Sequence, residues 1–380
     1  MAIDRIMLGN KIRRCRENLS LHIADVAFYT GISTDRLIDF EQGKLEPSGD
    51  EILIISDLFQ EDYRYFISNE KLSASEKVEV LYRKFGCEFD KEDRRRIQEF
   101  IVLCESEEYV TKCLNIPVKT FIPKKYPNVY KKQGIETAKM LRAFLGYNNT
   151  LKLYKDIFFE FRSIGVHIFR RKLKNSKISG LFMNHPSAGK CILINYDEDI
   201  FRQNFTLAHE ICHALLDANS DYNVSFKNEM LDYRELRANS FAGYFLMPDE
   251  LICPFKSRVI NSEIVMDLAV KLKVNIQPLL IALKSRNIIS QTQYEEFEKL
   301  KVPLMEKQDY ELKGLSEKRY REKRALLEMG LSDHYVKQCY EAYLQGYVST
   351  GKLAEMFMLS NDKELVDLLN LYSLKISYEY

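Results

Sequence analysis

The sequence lacks the features of a membrane protein, a secreted protein and a disulfide scaffold. No apolar run reaches the roughly 18 residues that a membrane-spanning helix needs, and the first residues lack the apolar stretch of a signal peptide. The eight cysteines form no CxxC pair and follow no regular spacing, which argues against a zinc ribbon and against a disulfide framework. We therefore expect a cytoplasmic protein whose cysteines are free thiols.

The sequence also lacks a strong net charge. A formal charge of +1 gives no general attraction to nucleic acid or to a membrane surface, so any such binding must come from a local patch. At 380 residues the chain is too long for one compact core, and its length favours two or three domains.

Residues 1–70 have the pattern of a small helical domain that contains a helix, a tight turn and a second helix. A helix from about Ile23 to Tyr29 is broken by Gly31, and Ser33 is suited to cap the helix that follows. The region resembles the phage-repressor (XRE) type of helix-turn-helix domain, which implies a five-helix fold. The matching residues are Leu8-Gly9-Asn10-Lys11-Ile12-Arg13, Val26-Ala27, Thr30-Gly31-Ile32-Ser33, Leu37, Phe40-Glu41-Gln42-Gly43 and Pro47.

The rest of the chain divides into three predicted regions. Residues 71–133 form a charged helical linker with several prolines, residues 134–259 a second domain, and residues 260–380 a helical C-terminal region. In the second domain, short β-rich runs at 166–169, 180–183 and 191–194 predict a small antiparallel sheet, and helices follow at about 201–217 and 233–245. We therefore expect an α+β fold that is mostly α-helical.

The residues with the clearest chemistry lie on the helix predicted at about 201–217. His209-Glu210-Ile211-Cys212-His213 fits the pattern HExxH, in which histidines four residues apart share one helical face and can reach one metal ion. Glu210 then lies beside the metal, where its carboxylate can polarise a water molecule. The competing interpretation is a helix whose two histidines are only packed or exposed.

A catalytic zinc usually takes three protein ligands, so a third ligand is expected from a neighbouring helix. Glu235 is the predicted ligand because it begins the next helix, in which small Ala238 and Ala242 permit close helix approach. Glu229, in a predicted loop, is the alternative. Cys212 lies between the histidine positions, which directs its thiol away from the metal and favours a core role. This set suits the Zn2+-dependent hydrolysis of peptides by a gluzincin.

The same region resembles the ImmA/IrrE metallopeptidases over residues 134–290. The resemblance implies that His209, His213 and Glu235 bind zinc and that Glu210 is the catalytic carboxylate, while Cys212 stands where the family commonly has glycine. The matching runs are Ser179-Gly180-Leu181-Phe182, Leu193-Ile194-Asn195, Arg202-Gln203-Asn204-Phe205-Thr206-Leu207-Ala208-His209-Glu210-Ile211-Cys212-His213, Glu235-Leu236-Arg237-Ala238-Asn239-Ser240-Phe241-Ala242 and Leu246-Met247-Pro248.

Fusions of this peptidase to a repressor-like N-terminal domain form a recognisable group. The resemblance implies regulated cleavage of a transcriptional repressor in mobile-element, stress or phage-related control, or an antitoxin role beside a toxin. The expected protein substrate is therefore a repressor or a toxin. The sequence does not decide the oligomeric state, and a dimer formed through the first domain is one possibility. The alternative function is a DNA-binding repressor or antitoxin in which the peptidase-like fold is a scaffold, which the intact HExxH and Glu235 argue against.

The charge of the first domain leaves DNA binding open. Residues 1–70 contain 8 Lys and Arg against 13 Asp and Glu, a net charge of −5, and phosphate contacts dominate the affinity for nucleic acid. A local basic face of Lys11, Arg13, Arg14 and Arg16 could still form, and docking to a protein is the alternative. The predicted DNA contacts are Arg13, Arg14, Ser33, Thr34 and Arg36.

Further basic residues lie at 124, 125, 131, 132, 170–172 and 174. We interpret these as a solvated charge run, with phosphate contact or cover for the acidic first domain as the alternative.

Overall fold

The computed structural model describes residues 5–19, 21–59, 61, 63–67, 91–124, 129–147, 156–174, 178–217, 222–226, 233–359 and 361–375. The chain divides into two compact units, Met1–Val102 and Leu103–Tyr380. Among the described residues, no helix is both long enough and apolar enough to cross a membrane.

The first unit begins with five short helices around one apolar core. The turn between the second and third helices contains Gly31, and the Ser33 hydroxyl accepts a hydrogen bond from the backbone N–H of Arg36, which caps the third helix. Leu8, Val26, Leu37 and other apolar side chains from all five helices are buried together. The helices are α1 (Arg5–Asn18), α2 (Ile23–Thr30), α3 (Thr34–Glu41), α4 (Gly49–Phe59) and α5 (Tyr63–Ile67).

A longer helix, α6 (Lys91–Cys113), contains the residues at which the two units are divided. Within the second unit, Glu107 of α6 is buried and accepts a hydrogen bond from His167 Nδ1 at 2.7 Å. The last turns of α6 are therefore packed into the fold of the second unit, in a region that the sequence predicts as linker.

The described part of the second unit contains one four-stranded sheet and many helices, which confirms the predicted α+β, mostly helical fold class. Its first half consists of α7 (Tyr130–Phe144), α8 (Ile157–Arg162), β1 (Val166–Arg171), β2 (Ile178–His185), β3 (Gly189–Asn195), α9 (Ile200–Leu216), β4 (Tyr222–Phe226) and α10 (Tyr233–Leu246). Its second half consists of α11 (Asp249–Ile252), α12 (Ser262–Leu272), α13 (Ile276–Ser285), α14 (Gln291–Phe297), α15 (Glu317–Glu328), α16 (Asp333–Leu344), α17 (Thr350–Met356) and α18 (Asp362–Leu371), with short 3-10 turns at Cys253–Phe255 and Leu304–Glu306.

The sheet is mixed, so the predicted antiparallel arrangement is wrong for one pair of strands. The strand order is β1-β3-β2-β4; β2 runs antiparallel to both β3 and β4, whereas β1 runs parallel to β3. The reason is topological, because the β2–β3 hairpin places β3 between β1 and β2. The sequence interpretation also missed β4, although Tyr222, Val224 and Phe226 alternate with polar residues as in a strand.

Helix α9 lies against this sheet, and α10 packs between α9 and α7. The contact between α7 and α10 requires glycine at position 134, since a β-carbon there would lie 2.3 Å from the carbonyl oxygen of Arg237. Ala238 and Ala242 are fully buried on the same helix, in agreement with the predicted close approach of helices. The two halves of the candidate site are thereby held on neighbouring, tightly packed helices.

Arg170 and Arg171 are buried, so both interpretations of the basic run are wrong for these two residues. The described lysines at 124, 131, 132 and 174 are exposed, as expected for solvated charges, and Lys125 lies outside the described residues. Arg170 donates hydrogen bonds to Asp309 Oδ2 at 2.5 Å and to Glu311 Oε1 at 3.0 Å, and Arg171 contacts the sulfur of Met358 at 3.8 Å. A buried guanidinium needs such partners because an unpaired charge in the interior is costly. These arginines therefore fix the C-terminal region to β1 and are not available to phosphates.

Candidate metal centre

Helix α9 carries both histidines of the HExxH pattern. Its N-terminus is capped by Asp199, whose side chain accepts hydrogen bonds at 3.1 Å from the backbone N–H groups of Phe201 and Arg202. His209 and His213 are both buried, and their Nε2 atoms face each other at 3.2 Å. The helical spacing has therefore brought two imidazole nitrogens to one point.

Glu235, at the start of α10, completes a group of three possible metal ligands. Its carboxylate oxygens lie 3.0 Å from Nε2 of His209 and 3.3 Å from Nε2 of His213. Among the described residues of the chain, this is the one group of three or more His, Cys, Asp or Glu side chains close enough to hold a metal ion.

The separations fit a shared zinc ion. Tetrahedral ligands at the usual zinc–nitrogen distance lie about 3.3 Å from one another. The two Nε2 atoms are 3.2 Å apart, and each lies close to that value from one oxygen of Glu235, at 3.0 Å from Oε2 for His209 and 3.3 Å from Oε1 for His213. Two imidazole nitrogens and one carboxylate are also a donor set that zinc favours, so the residues present fit the metal.

The orientation of His209 is set by Asn239, one turn after Glu235 on α10. Nδ1 of His209 donates a hydrogen bond to Asn239 Oδ1 at 3.0 Å. With its proton on Nδ1, the imidazole presents the lone pair of Nε2 to the cluster. Sequence reasoning missed this role, although Asn239 lies four residues after Glu235 and therefore on the same helical face.

The orientation of His213 is set by a longer chain of hydrogen bonds. Nδ1 of His213 donates to Asp217 Oδ2 at 2.9 Å, and that oxygen also accepts from Arg237 Nη2 at 2.5 Å. Arg237 in turn donates to Gln133 Oε1 on α7 at 3.3 Å. Helix α10 thus supplies one possible ligand and supports both histidines, through residues 235, 237 and 239.

The ionisable side chains of this cluster shift one another's pKa values. Burial disfavours the charged form of His213, but hydrogen bonds to Asp217 and Glu235 raise its pKa to about 9. Burial opposes ionisation of Glu235 too, yet contact with both histidines holds the pKa of this carboxylate far below its usual range. Asp217 has a lowered pKa because His213 and Arg237 outweigh its burial. The site therefore holds two ionised carboxylates that balance the charge of a protonated His213, and a metal ion bound to Nε2 would take the place of that proton.

Glu210 is fully buried beside the ligand cluster and lies against β2. A β-carbon on Gly180 would lie 3.0 Å from Glu210 Oε1 and 2.7 Å from Thr206 Cγ2. Only glycine at position 180 leaves this room, so Gly180 sets how closely the sheet approaches the Glu210 carboxylate. Residues 179–182 entered the sequence interpretation as a family match, but this packing role of Gly180 did not.

Cys212 and Glu229 were the two other candidate metal ligands in the sequence. Cys212 is fully buried within the apolar core of the second unit, and burial raises the pKa of its thiol, so it stays protonated. Glu229 lies outside the described residues.

Two family models match the chain. Residues 161–284 match the IrrE N-terminal-like domain of a peptidase family, and residues 12–66 match a helix-turn-helix domain. The chain joins a helix-turn-helix domain to an IrrE-like peptidase domain. Both predicted resemblances are thus confirmed, and the peptidase family points to a metallopeptidase. A search of curated proteins gave no match.

The peptidase domain depends on residues outside its matched range. Gln133 and Gly134 lie before residue 161, yet Gln133 bonds to Arg237 and Gly134 lies against the backbone of α10. Helix α7 is therefore part of the structural support of the candidate metal centre.

The helix-turn-helix domain uses several of its predicted DNA contacts internally. Arg13 pairs with Glu17 at 2.8 Å, Arg36 donates two hydrogen bonds to Glu51 at 3.0 Å, and the Ser33 hydroxyl caps α3. Thr34 is exposed and Arg14 is half-buried. The assignment of these five residues as DNA contacts stays a prediction.

Proposed function

We propose that the chain is a zinc-dependent endopeptidase in which His209, His213 and Glu235 hold the metal. The observation that carries this proposal is the meeting of two Nε2 atoms and one carboxylate at separations of 3.0–3.3 Å. The fixed orientation of each ring supports it, since Asn239 and Asp217 hold the Nδ1 protons away from the metal position.

Zinc, when bound, would lower the pKa of a water molecule and polarise the scissile carbonyl. Glu210 is assigned as the general base, because its buried carboxylate lies on the same helix, beside the two histidines. Its carboxylate accepts the proton of the attacking water and then donates that proton to the leaving amine of the peptide. Asn239 and the Asp217–Arg237 pair hold the imidazoles in place during this transfer.

The proposed substrate is a specific regulatory protein of the repressor type, in mobile-element, stress or phage-related control. Support comes from the fusion of the peptidase domain to a helix-turn-helix domain, a module of transcriptional regulators. A toxin partner, with the chain as its antitoxin, is the second proposal for the same site. To distinguish a repressor substrate from a toxin substrate, each protein encoded next to this gene is incubated with the purified chain, and its cleavage is measured.

The test compares the native chain with Glu210→Gln. The native protein should contain about one zinc per chain and cleave its substrate, whereas Glu210→Gln should keep the zinc and lose cleavage by several orders of magnitude. Glu250→Gln, at an exposed position of α11, is the matched control and should behave as the native chain. A native protein that holds no zinc would favour the scaffold alternative, whereas a Glu210→Gln variant with full activity would overturn the role of Glu210 as general base.

A further inference from the structure

Two tyrosines form a stacked pair where α7 and α10 begin. The rings of Tyr130, the first residue of α7, and Tyr233, the first residue of α10, have centroids 5.5 Å apart and an interplanar angle of 20°. The guanidinium carbon of Arg237 lies 5.7 Å from the centroid of the Tyr130 ring. Gln133 contacts Arg237 about one turn further along both helices, so α7 and α10 begin side by side.

This tyrosine pair is open to solvent. Tyr130 is 40% exposed and Tyr233 is 69% exposed, although each ring stacks against the other on one face. Aromatic surface that remains in contact with water is a favourable place for another apolar or aromatic group to bind. The pair therefore offers a flat platform that a third aromatic ring can extend.

The platform is continuous with the candidate metal centre along the exposed face of α10. Residues three apart on a helix are neighbours on its surface, with about 5–6 Å between their β-carbons. Tyr233, Leu236 and Asn239 have this spacing and are all exposed, Leu236 to 46%. Asn239 accepts the hydrogen bond from His209, so this row of side chains ends at a ring of the metal centre. We call Tyr130, Tyr233 and Leu236 the aromatic rim.

The aromatic rim lies on the solvent side of the helix that carries the carboxylate ligand. Glu235, Arg237 and Ala238 belong to the same two turns of α10 and are buried. Leu236 and Tyr233 are separated along the helix axis by about 4.5 Å, at 1.5 Å per residue. An extended peptide advances about 3.3 Å per residue, so the rim is within reach of side chains one to three residues from a bond held at the metal position.

We infer that the aromatic rim is a specificity subsite that receives an aromatic side chain of the substrate, one to three residues from the scissile bond. Tyr130 and Tyr233 supply the stacking surface, and Leu236 supplies apolar contact on the side nearer to Asn239. Arg237 fixes this platform, because it contacts Tyr130 and also supports the metal centre through Asp217. The inference rests on the proposed peptidase function and adds to it the chemistry of the preferred substrate.

The experiment measures the affinity of peptide hydroxamates for the purified full chain, loaded with one zinc, by calorimetry. A hydroxamate chelates zinc, so a peptide that carries this group at its carboxyl or its amino end extends from the metal to one side or the other. In both series the peptide is all alanine, or has one phenylalanine or one glutamate at the first, second or third position from the hydroxamate. At one of these positions phenylalanine should raise the affinity about tenfold over alanine, whereas glutamate should not.

Variants of the aromatic rim then locate this gain. Tyr233→Ser with Leu236→Ser should abolish the preference for phenylalanine over alanine while the zinc content is retained. Tyr233→Phe keeps the ring and should keep the preference. The matched control is Leu344→Ser with Tyr347→Ser, which removes a leucine and a tyrosine that are 50% and 48% exposed in the C-terminal region. This control should also keep the preference.

The possible results separate the subsite from the proposed function. Equal affinity of the alanine and phenylalanine probes at every position, or a preference that survives Tyr233→Ser with Leu236→Ser, overturns the subsite. If that double variant lowers the affinity for all probes by the same factor, the rim only supports the metal centre, and the subsite is overturned too. A chain that holds no zinc and binds no hydroxamate contradicts the proposed function itself, and the subsite with it.

Discussion

The candidate metal centre and the helix-turn-helix domain differ in how their ionisable side chains are arranged. In the metal centre, His209, His213 and Glu235 converge with their lone pairs toward one point. In the helix-turn-helix domain, Arg16 and Arg36 are each paired with a glutamate of the domain. The comparison shows that a family match predicts the fold of each region but not its chemistry. The chemistry depends on whether the ionisable side chains face a ligand site or are paired with other side chains of the same domain.

After the loss of Glu210 itself, the largest effect is expected where β2 approaches the carboxylate proposed as the general base. Gly180→Ala places a β-carbon 3.0 Å from Glu210 Oε1 and 2.7 Å from Thr206 Cγ2, so the carboxylate must move. Peptidase activity should fall roughly 100-fold while zinc is retained, because a small displacement of a catalytic group costs that much. Gly243→Ala, where an added β-carbon meets nothing within 4 Å, is the control. Equal activity of the two variants would contradict this positioning of Glu210.

The next effect concerns the support of His213. Arg237→Gln removes the partner that donates to Asp217 at 2.5 Å, so the ring of His213 is held less firmly. The affinity for zinc should fall by about 10- to 100-fold, as is usual when a residue that orients a metal ligand is changed. A chelator competition titration measures it. Arg234→Gln, at an exposed position of the same helix, should keep the native affinity, and a loss shared by both variants would argue against the Asp217–Arg237 link.

A smaller effect is expected for the ion pair between Arg16 and Glu41 in the helix-turn-helix domain. Glu41→Gln removes the ionised carboxylate that accepts two hydrogen bonds from Arg16, whose side chain is only 14% exposed, and should destabilise the helix-turn-helix domain by about 1–2 kcal/mol. Glu17→Gln breaks the exposed pair with Arg13 and a longer contact of 3.7 Å with Arg16, and should cause a much smaller change. Chemical denaturation of the variants checks both expectations. Equal stabilities would mean that the inward ion pair contributes nothing to the fold.

An effect of a different kind is a pH dependence of the stability of the second unit. Burial opposes the charge on His167, but hydrogen bonds to Glu107 and Glu108 raise its pKa from 6.5 to about 10. Because the folded pKa lies above the unfolded one, this stabilisation is complete below pH 6.5 and is lost as the pH rises to about 10. Thermal melting should therefore show a steeper fall in Tm over this range for the native chain than for His167→Gln. Parallel curves would rule out a charged His167.

The sequence predicts those parts of the site that depend on spacing along one helix. His209, Glu210 and His213 lie within five residues, so helical geometry alone brings them together. Other parts depend on partners far along the chain, such as Gln133 with Arg237, which are 104 residues apart, and Arg170 with Asp309, which are 139 residues apart. No local pattern encodes such pairs, which is why Arg170 was interpreted as solvated although it is buried.

In the fold, too, the features that depend on local sequence could be predicted and those that depend on distant contacts could not. Helix and strand positions follow from apolar periodicity and turn residues, and the predicted helix-turn-helix matches α2 and α3. The direction of β1 relative to β3 does not follow, since it depends on how strands separated in sequence are arranged in the sheet. The pairing of basic residues in the first unit likewise depends on packing between helices, so counting charges could not reveal it.

The most direct test of the metal centre is X-ray absorption at the zinc edge, measured on the purified full chain. The structure predicts one zinc per chain with only nitrogen and oxygen neighbours, including two imidazoles from His209 and His213. It predicts no sulfur neighbour, because Cys212 belongs to the apolar core. A sulfur scatterer at about 2.3 Å, or a native protein without zinc, would contradict the assignment of this site.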